Sequence, residues 1–516
     1  MASATNAAVS AAPLYGDVSE RGLRLVLIVL GVMAASLMQT LDTTITNVAL
    51  PNIQGNLGAS QDEGTWIVTA YTIAAIVVIP ITPWLQNRFG RKRYYVASIV
   101  GFTLASIMCG ASDKLVPLVV WRAVQGLFGG GLLATGQSIL RDSFPPDKLG
   151  ASQGIFALGV IVGPALGPPL GGLLVDNASW NYVFDINIVP GVASSLLILA
   201  LLRDPVVSQK SSVDGIGLAL LAVGLGTMQY VLTEGERNYW FAAPAISIAT
   251  IACVASLIAF IVWELYGTDH PIVDLRVLRN RSVSAGSLLA LALGAALFGS
   301  SYTLPQFTQG LLGFTPTLSG ELFLFRALPV ALLTPVIVRL VARYDARYFI
   351  ATGFVLVGAG SLVQASVTVG QAGFLTFVAA LVVVGAGTAM LFVPLTIAVL
   401  GSTTPAEGPK AGAFVNLATQ LGGSIAVAGL EVLLDRRWAF HSAVLGGTAT
   451  NAAPAVRQFL ARGTPAQLAQ LVNGQAAILS YADATIAIGV VAFVFLPLIL
   501  LMRRPGGAQG PVELGG

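Results

Sequence analysis

Residues 154–174 read GIFALGVIVGPALGPPLGGLL, and this run restricts the chain more than any other. It is apolar and long enough to cross a bilayer, which takes about 20 residues. In water its glycines and prolines would make a poor helix. In lipid the backbone must satisfy its hydrogen bonds internally, so the segment stays helical and becomes pliable. Gly159, Gly163, Gly167 and Gly171 recur every four residues, with Gly172 following, and so lie along one helical face. A face without side chains lets a neighbouring helix approach at backbone distance. Pro164, Pro168 and Pro169 each remove an N–H, which predicts a bend. On residues alone, a tightly packed membrane helix accounts for the pattern.

The rest of the chain is of the same kind. Hydrophobic residues make up 55% and charged residues 10%, against roughly 25% charged in soluble domains. The net charge of +3 does not point to nucleic acid, because the basic residues fall in short loops between apolar runs. Cys109 and Cys253 each sit inside an apolar run, which argues against a disulfide framework or a zinc site. The first ~20 residues lack a basic-then-apolar signal, and the run over 25–48 is too long for a signal-peptide core, so it is expected to remain as the first span.

Fourteen spans are expected, at 25–48, 66–86, 94–111, 115–139, 150–174, 182–202, 214–232, 243–265, 283–304, 318–341, 348–368, 374–399, 412–434 and 482–502. Most of the 27 Lys and Arg residues then fall in loops on one side, which predicts both termini to be cytoplasmic. Leu85, Arg88 and Phe89 after span 2 match Leu340, Arg343 and Tyr344 after span 10. The match is either a chance likeness of two basic loops or the trace of two related halves. The second reading divides the chain into a tail (1–24), a six-helix bundle (25–202), two inserted helices with linkers (203–282), a second six-helix bundle (283–502) and a tail (503–516). Within the second bundle a long outer loop is expected at 435–481, where 453–480 has loosely helical spacing.

Charges inside spans are costly in lipid and mark function by default. Asp42 lies near the end of span 1 in Leu41-Asp42-Thr-Thr-Ile-Thr-Asn47-Val-Ala-Leu-Pro51, and Arg122 in span 4 in Arg122-Ala-Val-Gln125-Gly126. The arginine cannot neutralise itself by losing a proton. It needs a partner and favours ionisation of a nearby acid. Asp42 and Arg122 fall at matching depths, so they can meet if spans 1 and 4 pack together. A structural ion pair and a proton-handling pair both fit these residues. Pro83-Trp-Leu85-Gln-Asn87-Arg88-Phe-Gly90-Arg91-Lys92 follows span 2 and reads equally well as a basic topological anchor or as a conformational element.

These motifs together resemble the 14-helix drug:proton antiporter family of the major facilitator superfamily, of EmrB/QacA type, and the EmrB-like multidrug efflux branch most. G-x-x-x-G-P-x-x-G-P-x-x-G-G resembles the fifth-helix signature of that family, and the segments at Asp42 and Arg122 resemble its L-D-x-T-I-x-N-V-A-L-P and R-x-x-Q-G motifs. Trp180-Asn-Tyr-Val-Phe184-Asp-Ile-Asn187, Asp214-x-x-Gly217, the Pro271–Asn280 loop and Leu304-Pro305-Gln306 extend the resemblance over about residues 24–502. Two positions depart from the family's loop G-x-L-a-D-R-x-G-R-[RK]: Pro83 stands for Gly and Asn87 for Asp. The uncharged Asn87 implies that a lock on the cytoplasmic side is weaker here or lies elsewhere.

The resemblance implies an all-α polytopic membrane protein with the major facilitator fold: two pseudo-symmetric six-helix bundles plus two inserted helices. It implies Asp42 and Arg122 for proton coupling, with the proton gradient as energy source and no cofactor. It implies Asn87, Arg88, Gly90, Arg91 and the glycines and prolines of 159–172 for the conformational cycle. Its partners would be a small-molecule substrate, membrane lipid, a periplasmic adaptor protein and an outer-membrane channel, with no nucleic acid. The location would be a bacterial inner membrane. Gln125, Arg326, Glu321 and Glu431 are candidates to line the substrate cavity, and the two glutamates equally fit residues that snorkel to water. A dedicated exporter of one metabolite, such as a fatty acid, is the nearest alternative. A passive channel predicts rings of charge, whereas here single charges sit on different helices. A membrane enzyme is disfavoured, since His270 and His441 both fall in expected loops and no metal cluster is seen in the sequence.

Overall fold

The computed structural model describes residues 20–145, 148–203, 214–268, 271, 273–341, 343–404, 407–449 and 454–502. No strand occurs among them. The helices are α1 (Gly22–Leu57), α2 (Gln61–Phe89), α3 (Arg91–Gly110), α4 (Leu115–Gly129), α5 (Leu132–Ser143), α6 (Leu149–Asn177), α7 (Tyr182–Asp185), α8 (Ile188–Leu201), α9 (Gly215–Glu234), α10 (Pro244–Val262), α11 (Arg281–Gly310), α12 (Pro316–Val341), α13 (Ala346–Ser366), α14 (Phe374–Leu400), α15 (Gly408–Thr448), α16 (Pro454–Leu460) and α17 (Pro465–Phe495). Thirteen segments among the described residues are long and apolar enough to cross a membrane. The 29-residue α6 completes the expected fourteen. The all-α polytopic architecture expected from the sequence is the one observed.

Two expected spans are broken. Span 4 divides into α4 and α5 at Gly129-Gly130-Gly131, where a Cβ on Gly130 would press on the Ala75 carbonyl and Cα of α2. Glycine permits that approach and weakens the helix at the same point. Span 6 divides into α7 and α8 at Asn187, the residue before the first turn of α8. The long outer loop expected at 435–481 is mostly helix: α15 runs on to Thr448, and α17 starts at Pro465 behind a capping box made by Thr464 and Gln467. Arg437 and His441 of α15, at 2.5 and 2.8 Å from Asp483 of α17, tie the two extensions together. His441 is therefore a helix residue rather than a loop residue. His270, Lys210, Arg503 and Arg504 lie outside the described residues.

The buried apolar residues form separate cores. Two are built from residues of 28–202, joining α1 to α3, α4, α5 and α8. The largest is built from residues of 277–502 on α11, α13, α14, α15 and α17. A smaller core fastens α9 and α10 to α2 through Ile76, Val78, Leu221, Leu225 and Phe260. The outward side of α10 is apolar and open, with Ile248, Ile251 and Ile258 among its exposed residues. An apolar surface of that extent is covered by lipid in a membrane protein.

α6 lies between α1 and α12. A Cβ on Gly163 would fall 2.8 Å from Thr40 Cβ and 2.9 Å from the Leu41 backbone N of α1. On Gly167 it would fall 3.0 Å from Thr44 Cβ, and on Gly171 2.9 Å from Ile45 Cγ1. The glycine face thus meets α1 at backbone range, as the spacing predicts. From the other side Gly320 of α12 packs on the backbone of Pro168 and Pro169, and Val338 of α12 packs on Gly154.

Candidate transport site

α1 directs polar groups to two different surroundings. Gln39, Thr40, Thr43 and Thr44 look into a cavity between the two large cores. Asp42 points away from it, toward α3, α4 and α8. Thr40 and Thr44 each stand about 200° from Asp42 at 3.6 residues per turn, while Thr43 and Gln39 stand about 100° and 60° from it, so the division is widest at the first two.

Asp42 is fully buried and pairs with Arg122, whose Nη1 lies 2.6 Å from Asp42 Oδ2. Asp42 Oδ1 accepts from Gln125 Nε2 and from Asn187 Nδ2, both at 2.9 Å. Arg122 also donates through Nε to the Ile67 carbonyl at 3.0 Å and through Nη1 to Gln125 Oε1 at 2.6 Å. Its guanidinium carbon sits 4.4 Å from the centre of the Tyr71 ring and 5.7 Å from that of Phe184. Ser106 Oγ accepts from Gln125 at 3.1 Å and from Asn187 at 2.9 Å, and donates to the Phe184 carbonyl at 2.9 Å. Desolvating two charges costs several kcal/mol each, and only such a set of hydrogen bonds offsets it. The matching depths of Asp42 and Arg122 therefore do correspond to contact.

Asn187 is the residue of this site that sequence reasoning left without a role. An asparagine before a helix normally accepts a hydrogen bond from the first turn. Here its side chain makes no such bond and directs its amide to Asp42 and Ser106 instead. Its Oδ1 is buried without a partner. The available signal was the family-like Phe184-Asp-Ile-Asn187 segment, which marks the position but not the direction of the side chain.

The cavity separates the four proposed lining residues. Arg326 of α12 lines it, 8% exposed. Gln125, expected there, lies instead in the buried Asp42 network, because its position one turn after Arg122 puts both on the same face of α4. Glu321 is exposed near the start of α12 and Glu431 is half-buried on α15 within electrostatic reach of Arg237, Glu234 and Glu236; neither lines the cavity. Its walls otherwise combine leucine, valine and phenylalanine with neutral amides and hydroxyls, including Phe156, Phe298, Phe392, Gln137 and Asn416.

At the α2–α3 turn Gly90 takes φ +87°, a conformation that disfavours side chains. Asn87 and Arg88 are exposed there, while Arg91 is buried against Asp142 at the end of α5. Gln86 donates to Thr135 of α5 at 3.0 Å. The contact that holds this turn is thus made through Arg91, with Asn87 outside it.

A family model described as the Major Facilitator Superfamily matches residues 32–324. The chain is 32% identical over 504 residues to the multidrug export protein EmrB of Escherichia coli strain K12, covering 95% of this chain and 97% of that one. It is 32% identical over 512 residues to the fatty acid resistance protein FarB of Neisseria gonorrhoeae, covering 95% and 98%. The crystal structure of the human organic anion transporter MFSD10 (TETRAN) superposes with TM-score 0.58 at 15% identity, over 92% of this chain and 100% of that one, a likeness of fold.

Proposed function

Because the chain belongs to the Major Facilitator Superfamily and to its EmrB-like multidrug export branch, we propose that it is a proton-coupled antiporter exporting hydrophobic or amphipathic compounds across a bacterial inner membrane. The observation that carries this reading is that one helix presents Asp42 to a buried network and Thr40, Thr43 and Thr44 to the cavity. A proton taken up at Asp42 turns an acceptor oxygen into a donor. Three donors now converge on that carboxylate, from Arg122, Gln125 and Asn187. One of them must turn away, and Asn187 holds an unpartnered Oδ1 that accepts the new O–H when its amide rotates. The change then reaches Gln39, Thr40, Thr43 and Thr44 through the rigid α1. Residues 25–202 and 283–502 act as the halves that rock about the cavity.

The same reading assigns a periplasmic adaptor protein and an outer-membrane channel as partners, with the joined ends of α15 and α17 on the outer side. Transport in proteoliposomes tests the function: export of a hydrophobic dye is expected with an imposed pH gradient and not without it. Equal flux in both conditions would mean a passive pathway. Orientation has its own test. Gly474→Cys, at a position with nothing within 4 Å of its Cβ, is expected to react with an impermeant maleimide in intact cells. Phe89→Cys, at an exposed site beside the α2–α3 turn, is expected to react only after permeabilisation. The reverse pattern would invert the topology.

A further inference from the structure

Among the described residues two arginines, Arg122 and Arg326, are buried deep within the spans, and they are treated in opposite ways. Arg122 has a carboxylate, a main-chain carbonyl, an amide oxygen and two aromatic rings around it. Arg326 has one hydrogen bond, from Nη1 to Ser300 Oγ at 2.5 Å. Among the described residues no carboxylate pairs with it, and it is the one charged side chain lining the cavity. A guanidinium carries five N–H donors and stays charged in any setting. Placing that charge in an apolar membrane cavity without a counter-charge is costly. The cost is relieved when something that enters the cavity supplies the negative charge.

We infer that the cavity selects amphipathic organic anions, whose carboxylate or comparable acid group docks on Arg326 while the apolar body rests against Leu293, Leu297, Phe298 and Phe392. The inference rests on the cavity being the transport site. Arginine matches a carboxylate with two parallel hydrogen bonds, which a point charge does not. The remaining polar lining is neutral, and the side-chain amides of Asn416 and Gln420 supply further donors. A cation in the same place would meet an unpaired positive charge and no acid among the described lining residues.

Three fluorescent probes with one apolar body test this on the full-length protein in nanodiscs: pyrenebutyrate, pyrenebutanol and pyrenebutyl-trimethylammonium. The carboxylate is expected to bind about tenfold or more tightly than the alcohol, the yield of a charge-assisted hydrogen bond, and the cation weakest of all. Arg326→Gln is expected to erase the preference for the carboxylate and leave the alcohol within about twofold. Equal binding of the three by the unaltered protein, or a preference that survives Arg326→Gln, overturns the inference and leaves the exporter reading intact. If Arg326→Gln does not fold, the comparison of the three probes on the unaltered protein decides. Ala327→Trp, which fills the cavity, separates the two readings: saturable binding of every probe that persists in this variant places the ligand elsewhere and overturns the cavity as transport site.

Discussion

Asp42→Asn is expected to insert, purify and bind substrate, and to lose proton-driven accumulation altogether. The amide cannot release or take up a proton in the working range, so a cycle driven by the carboxylate stops. The structure also sets the cost in stability. Removing one member of a buried ion pair typically costs about 3–5 kcal/mol. Arg122 keeps the Ile67 carbonyl, Gln125 Oε1 and the faces of Tyr71 and Phe184, so its charge is not left bare. Yet no orientation of an asparagine at 42 accepts from all three donors that now share the carboxylate, and one buried N–H goes unmet at about 1–3 kcal/mol. A lower unfolding temperature with preserved binding is the expected outcome. A purely structural ion pair predicts a protein that fails to fold, or one that folds and still transports. Substrate binding, thermal unfolding and proton-driven uptake, measured separately on the purified variant, distinguish these cases. Persistence of substrate-induced proton release would pass the role to another acid, with Glu431 next in line.

Gly163→Leu is expected to abolish transport while leaving membrane expression near normal. The Cβ alone would stand 2.9 Å from the Leu41 backbone N, an atom that can retreat only if α1 moves with it. Overpacking by movable side chains costs about 1–3 kcal/mol, and backbone contact lies at the upper end of that range. A ranking of alanine variants is the sharper measurement. Gly163→Ala should reduce transport more than Gly171→Ala, since the atom nearest Gly171 is Cγ1 of Ile45, a side chain able to turn. Gly446→Ala, with nothing within 4 Å, should be silent. Full activity in Gly163→Leu would mean that close α1–α6 contact has no part in the cycle.

What could be read from the residues follows what lipid enforces. Twenty-residue apolar runs, basic loops and a four-residue glycine period each have one membrane solution. Matching depth made the meeting of Asp42 and Arg122 possible, because rise per residue is fixed, and the packing of spans 1 and 4 was the condition that the resemblance supplied. Rotation about a helix axis is not fixed in that way, and Gln125 was therefore assigned to the cavity instead of the buried network. The same gap hid Asn187, whose side chain is aimed by a break between two short helices. The ends of α15 and α17 were missed for another reason. Asp435, Arg436, Arg437 and His441 end the apolar run, but they do not end the helix, which continues wherever its own hydrogen bonds and a partner helix hold it.

The α1–α6 contact has a consequence for how the two helices travel. Thr40 Oγ1 is bound to its own helix at the Ser36 carbonyl, 2.8 Å away, and Thr44 Oγ1 to the Leu41 carbonyl, 3.1 Å away. No hydrogen bond crosses from α1 to α6 among the described residues. The threonine hydroxyls facing Gly163 and Gly167 are thus already occupied at home, and the seam there is greased rather than latched. Its other side is different: the Asp42 network fastens α1 to α3, α4 and α8 with charged and amide bonds. For the proposed rocking cycle this arrangement sets the slip plane in advance: α1 would go with α3, α4 and α8, while α6, outside that network and pressed on α12, would glide along α1 as a bearing does along a shaft.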